Sequence, residues 1–379
     1  MTEKKRLGSS DAISGAVEYS EVIPFGNGNF VCNWNRFLGE YGIFSFRYSL
    51  EIIDYYKMFS KEIVDRSFVV VNTIDGIPLC ICPVIICRED EKNTASYGGT
   101  VTKFLPCPLF DKRLSRRQRL LVGRTCSAQL EKIFLEHRVT RWYSETTVVD
   151  IESMQMEEAL PAVIGALDVS IQNHFLRVDV AEGDIKTQIR TRARNEINSG
   201  LRCYDFKVYD ETNFTDSVGQ RHQLLHQKTA GRLTRPIETF LRSYKWISEG
   251  KGLMFEQLYN GISVNMTLIC FGGKVAYGAS TADDPDFDPP APLMHSMLWA
   301  IAIELKRRGF IYYEVGATNH RDSIYQILSP KEKSIIFFKK GFGTDTLPFK
   351  RWVWFSTRIE EVKFIEESLK AYKELLLSG

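Results

Sequence analysis

The residues best able to do chemistry lie in the second half of the chain. Glu314 closes a strand-like run, Ile311 to Val315. A carboxylate there, partly withdrawn from water, has a raised pKa and can take the proton of an attacking amine. The same acid could instead be a structural partner for Lys339 or Arg321. Tyr313 points to the opposite face by the period of two, so only one of the two side chains faces a given cleft. Lys339 and Lys340 stand just before Gly341-Phe342-Gly343. A lysine in that place can neutralise a phosphate or a tetrahedral oxyanion, and the alternative is a solvated pair. Gly341 and Gly343 offer positive φ or close approach to a ligand. Arg190 and Arg194 are four apart on an expected helix, with Lys186, Arg192 and Arg202 nearby. They are candidates for a phosphate clamp, and a basic surface helix reads the same way.

Other constellations carry less. His222 and His226 have the i, i+4 spacing of metal ligands, but no third ligand is spaced with them, so no metal is expected. His295 and His320 flank the expected cleft as caps or polar contacts. Asp283, Asp284, Asp286 and Asp288 make an acidic loop that could bind an amino-sugar or a cation, or stay solvated. No Gly-x-Ser-x-Gly elbow, P-loop or Gly-x-Gly-x-x-Gly fingerprint occurs, which leaves hydrolase, NTPase and dehydrogenase readings without support.

These residues need a scaffold of at least two domains, since the chain has 379 residues. With 49 Lys+Arg against 47 Asp+Glu, there is no global field for nucleic acid, so DNA is not an expected partner. The eight cysteines sit mostly in apolar runs without a CxxC pair, as buried reduced thiols do. No apolar segment follows the charged N-terminus and no run reaches membrane-spanning length, so a cytoplasmic protein is expected.

Asp75-Gly76 between Phe68–Thr73 and Ile77–Cys82 signals a hairpin. A strand-like Ala95–Leu105, a helix over 116–136 and a strand at 140–144 follow. In the second half, Asn260-Gly261 and Gly272-Gly273 join three strands, ending in Lys274–Thr281. The strongest helical period, Leu293 to Arg308, opens after Pro289, Pro290 and Pro292 and closes at Gly309. A strand at 311–315, a short helical piece over 321–328, strands at 335–338 and 351–355 and a terminal amphipathic helix complete the pattern. Crossover helices within antiparallel meanders predict a mixed sheet in each half. The boundary falls at Ala181–Gly183, giving domains 1–181 and 182–379.

Three stretches resemble the tandem GNAT proteins of the FemAB-like superfamily. They are Ile189–Ile197, the run Leu298–Ile301 through Lys306–Gly316, and Ile336-Phe337-Phe338-Lys339-Lys340-Gly341-Phe342-Gly343. The likeness covers 180–355 by motif and the first 180 residues only by pattern. It implies an α+β fold of two tandem GNAT-like domains, each a mixed, mostly antiparallel sheet flanked by helices. It also implies an N-acyltransferase moving an acyl group from acyl-CoA, a co-substrate and not a resident cofactor, to an amine of a sugar, sugar-nucleotide or cell-envelope precursor. Glu314 and Lys339 would be catalytic. Arg190, Arg194, Tyr277, Ser280, Tyr313, Lys340, Gly341 and Gly343 would bind donor or substrate. The alternatives are an aminoacyl-tRNA-dependent transferase and a non-catalytic binding module. One departure stands out: the loop before the long helix, Asp283 to Pro290, has no glycine, and its prolines and carboxylates suit a diphosphate badly.

Overall fold

The computed structural model describes residues 20–42, 44–59, 62–89, 91–98, 103–146, 160–317, 324–325 and 327–378. Turn chemistry sets the strands of the first half. Asn72 and Asp75 cap a tight loop in which Gly76 takes positive φ, and the loop joins β3 (Phe68–Asn72) to β4 (Pro78–Cys82). With β1 (Ser20–Pro24) and β8 (Leu109–Phe110) they form a small four-stranded sheet. The other strands of this half join a larger sheet: β2 (Ile63–Asp65), β5 (Ile85–Glu89), β6 (Lys92–Ala95), β7 (Leu105–Pro106) and β9 (Val139–Thr146). The helix Arg116–Glu136, opened by a Ser115/Gln118 capping box, carries the chain back so that β6 and β9 run parallel. Then come β10 (Leu167–Asp168) and β11 (Ile171–Arg177).

The second half repeats the plan more regularly. After β12 (Asp205–Tyr209), Asn260-Gly261, both with positive φ, turn β13 (Gly252–Tyr259) into β14 (Ile262–Gly272). Gly273 turns β14 into β15 (Val275–Asp283). The crossover helix Leu293–Arg307 returns the chain parallel, and β16 (Tyr312–Ala317) pairs with β15. One face of this sheet is packed by that helix and by Thr191–Cys203, around Leu253, Phe255, Ile269 and Met297. The other face shares a core with the first half, through Trp246, Met254, Met266 and Leu268.

Three expectations change. Among the described residues, the run expected as one strand over Ala95–Leu105 holds only the ends of two short ones, Lys92–Ala95 and Leu105–Pro106. Residues 335–338 are not a strand: they lie within a helix, Pro330–Gly341, opened by a Ser329/Glu332 capping box with Pro330 in its first turn. The apolar Ile-Ile-Phe-Phe run suggests a strand, but the cap fixes the helix start five residues earlier. The strand before residue 181 spans Ile171–Arg177 rather than Phe175–Val180. The sheet also continues across the 181/182 division. β11 lies between β16 and β17 (Asp345–Phe355), and β17 lies between β11 and β9. Each half thus lends its last strand to the other. Part of the expected piece at 321–328 lies outside the described residues, as do Arg321 and His320. Among the described residues, no helix is long and apolar enough to cross a membrane.

Candidate active site

β15 and β16 pair for three residues only, Val275↔Tyr312, Ala276↔Tyr313 and Tyr277↔Glu314, and then separate. Both arms of the resulting fork are bulged at its mouth. On β15 the register against β14 skips Ala279, between Gly278 and Ser280. On β16 the register against β11 skips Val315, between Glu314 and Gly316. Beyond Tyr277 and Glu314 the facing edges of β15 and β16 no longer pair with each other, which opens the fork between them.

Lys339 approaches from the last turn of Pro330–Gly341. Its Nζ donates to the Gly316 carbonyl at 3.1 Å. Gly316 has φ 115°, and a Cβ there would lie 2.9 Å from that Nζ, so glycine makes room for the lysine. Burial lowers the Lys339 pKa to about 8 against a smaller opposing pull from Glu314. The amine therefore changes charge near pH 8, well below an ordinary lysine. Lys340 is exposed on the same turn, and Ser280 is half-buried just past the β15 bulge.

Glu314 is buried, but its carboxylate is occupied. Arg47 grips it with both terminal nitrogens, at 2.9 and 2.8 Å, and Asn173 Nδ2 donates to Oε1 at 2.8 Å. Arg47 Nε also lies 3.2 Å from Glu145, which in turn accepts from Arg351 Nε at 3.0 Å. The Arg47 guanidinium sits over the Tyr277 ring at 4.8 Å and the Phe349 ring at 5.2 Å. Burial works against the Arg47 charge, yet Glu314 and Glu145 outweigh it and hold its pKa well above the usual value. For Glu145 burial wins over Arg351 and Arg47, and its pKa is raised. Two arginines and two glutamates thus form a buried chain, Glu314–Arg47–Glu145–Arg351, between the halves and beneath the fork.

Tyr313 is a core residue on the face opposite Glu314, its hydroxyl 3.3 Å from where a Gly278 side chain would begin. Arg190 does not share a helix face with Arg194. It precedes the helix Thr191–Cys203, where its N–H donates to the Gly341 carbonyl at 2.9 Å and its guanidinium lies over Phe337 at 4.8 Å. Arg194 donates to Thr191 Oγ1. Gly343 has φ 76°, and a Cβ there would come within 2.8 Å of the Gln188 main chain, so its close approach is to protein. These contacts bring Arg190, Lys339, Lys340 and Gly341 to one side of the fork.

No protein-family model matches the chain, and no curated protein sequence does. Solved structures do match. FemX superposes with TM-score 0.64 over 87% of this chain and 96% of its own, at 12% identity. L-PGS from Bacillus licheniformis superposes with TM-score 0.53 over 89% of this chain and 94% of its own, at 13% identity. The chain has the fold of FemX.

Within this FemX-type fold, sequence reasoning missed the network beneath the fork: Arg47, Asn173, Glu145 and Arg351. Arg47 lies in the aromatic run Phe44-Ser45-Phe46-Arg47-Tyr48, and Asn173-His174 interrupt an apolar strand. Polar residues inside apolar runs were the available signal. Several of the other polar candidates are held by protein. His222 is buried against Tyr244 at 3.0 Å, and burial, then Arg235 and His226, push its pKa down to about 3. His295 pairs with Glu196 at 2.9 Å. In the acidic loop Asp284 and Asp286 flank Lys228, and Asp283 accepts from Asn265.

Proposed function

We propose that the chain transfers an acyl group to an amine at the β15–β16 fork. The observation that supports this is the fork itself, where β15 and β16 separate beyond Tyr277 and Glu314, both arms are bulged, and the part-buried amine of Lys339 reaches the Gly316 carbonyl. On this reading the donor carbonyl lies in the fork, polarised by main-chain N–H groups; the neutral amine attacks it directly, the new C–N bond replaces the C–O or C–S bond of the donor, and the amine's proton leaves with the departing alcohol or thiol. Lys339 lends positive charge to the oxyanion. Glu314, wrapped by Arg47 and Asn173, holds the fork together and is not the base.

The donor is an activated ester or thioester, and the acceptor an amine on a sugar, sugar-nucleotide or envelope precursor. The segment before the Leu293–Arg307 helix favours an aminoacyl-tRNA over acyl-CoA. Pro289, Pro290 and Pro292 remove N–H donors there, and carboxylates precede them. Arg190, Arg194 and Lys340 then serve the phosphates of the tRNA end. FemX and L-PGS, the named neighbours with this fold, give the reading its context. Melting the protein with acetyl-CoA and with mixed aminoacyl-tRNA tests it. Stabilisation by aminoacyl-tRNA is expected, stabilisation by acetyl-CoA alone would reverse the donor assignment, and stabilisation by neither would leave a binding module without transfer chemistry.

A further inference from the structure

A cavity on the first half is lined by no residue of the fork. It runs along the outer flank of the helix Arg116–Glu136, with a volume of about 560 Å³. A second cavity of about 390 Å³ continues it past Ser127 and Glu131, which line both. The walls are chiefly apolar: Leu120, Ala128 and Val163 in the first, Phe134, Leu135 and Trp354 in the second. Leu120, Val163 and Leu135 are 54%, 62% and 73% exposed, which is costly unless something covers them. From Arg116 to Leu135 the helix rises roughly 28 Å at about 1.5 Å per residue.

Two further observations say what fits. Arg116 and Arg119 in the first turn and Arg124 in the middle of the helix line the first cavity, against a single acid, Glu131, further along. Gly123, in the middle of the helix, also lines it, and a Cβ there would meet nothing within 4 Å. A mid-helix glycine costs about 0.5–1 kcal/mol relative to alanine, and no neighbour here requires its small size. By contrast, a Cβ on Gly200, in the helix of the other half, would strike Ser296 at 2.3 Å. The absent side chain at 123 deepens the groove.

We infer that this groove is a binding site for an anionic amphiphile with one long apolar chain, the chain lying along the helix and a phosphate head at the arginines. This goes beyond the proposed transfer reaction and does not depend on it. Titration calorimetry on the full chain tests it with farnesyl phosphate, farnesol and inorganic phosphate as probes. Farnesyl phosphate is expected to bind, farnesol more weakly, and inorganic phosphate not measurably. Gly123→Leu fills the groove while favouring the helix, so its melting temperature is unchanged or higher and farnesyl phosphate binds about tenfold more weakly or worse. Arg116→Gln with Arg124→Gln reduces farnesyl phosphate to the affinity of farnesol and leaves farnesol unchanged. If Gly123→Leu fails to fold, Gly123→Ala and the arginine pair decide. Equal binding of farnesol and farnesyl phosphate, wild-type affinity in these variants, or light scattering showing a wild-type dimer that Gly123→Leu dissociates would each overturn the proposal.

Discussion

Replacing Glu314 by glutamine separates two roles that this residue could have. Gln keeps the shape and the Asn173 contact in reach, but removes the charge that Arg47 grips with two nitrogens. Breaking a buried pair by neutralising one member typically costs about 3–5 kcal/mol, because the other charge is left uncompensated. Glu145 remains 3.2 Å from Arg47 Nε, which puts the expectation at the low end, about 3 kcal/mol. The unfolding entropy of 379 residues at about 2.1 cal/mol/K each is roughly 0.8 kcal/mol/K. The melting temperature should therefore fall by about 4 °C. Replacing Arg47 and Glu314 together by methionine removes both charges and should recover much of the loss. Calorimetric melting of the single and double variants measures this. A base at Glu314 predicts the reverse, an unchanged melting temperature with kcat/KM down by about 10²–10⁴. That result, or a double variant no more stable than Glu314→Gln, would refute the account of the network.

Lys339 carries a pH signature. Its pKa is lowered from 10.5 to about 8, so between these values the unfolded chain binds more protons than the folded one. Its contribution to stability should thus be least below pH 8 and grow toward pH 10.5, a rise that denaturant titrations of Lys339→Met should lack. If the charged form assists transfer, kcat falls as pH rises through about 8, and the residual rate of Lys339→Met shows no such step. Gly343→Ala places a Cβ at positive φ against the Gln188 main chain and should cost about 2–3 kcal/mol by chemical denaturation. Arg190→Ala with Arg194→Ala should weaken donor binding and flatten its salt dependence at constant melting temperature; an unchanged salt slope would leave both as surface residues.

What the sequence revealed follows the range of the interactions involved. The hairpins at Asp75-Gly76 and Asn260-Gly261 and the two crossover helices are specified by neighbours in the chain, and all are present. The fork between 274–281 and 311–315 also follows, since a crossover of that length places the strands side by side. The helix Pro330–Gly341 was legible too, had Ser329-Pro330 and Glu332 been weighted over the apolar run after them. The role of Arg47 was not: its place in an aromatic run marks it as unusual, but its partner is 267 residues away and nothing local says which acid it meets. Nor does a local pattern tell β11 and β17 which half's sheet to enter, since either edge accepts an antiparallel strand.

That exchange of last strands has a consequence during synthesis. A ribosome makes the first half long before residues 345–355, yet β9 and β11 each await β17 on one side. Until it arrives, the nascent chain carries two open strand edges, the kind of surface that recruits other chains. Chaperone dependence should accordingly be concentrated in the last stage of translation. A premature stop before Asp345 should yield an aggregating product in place of a smaller folded protein.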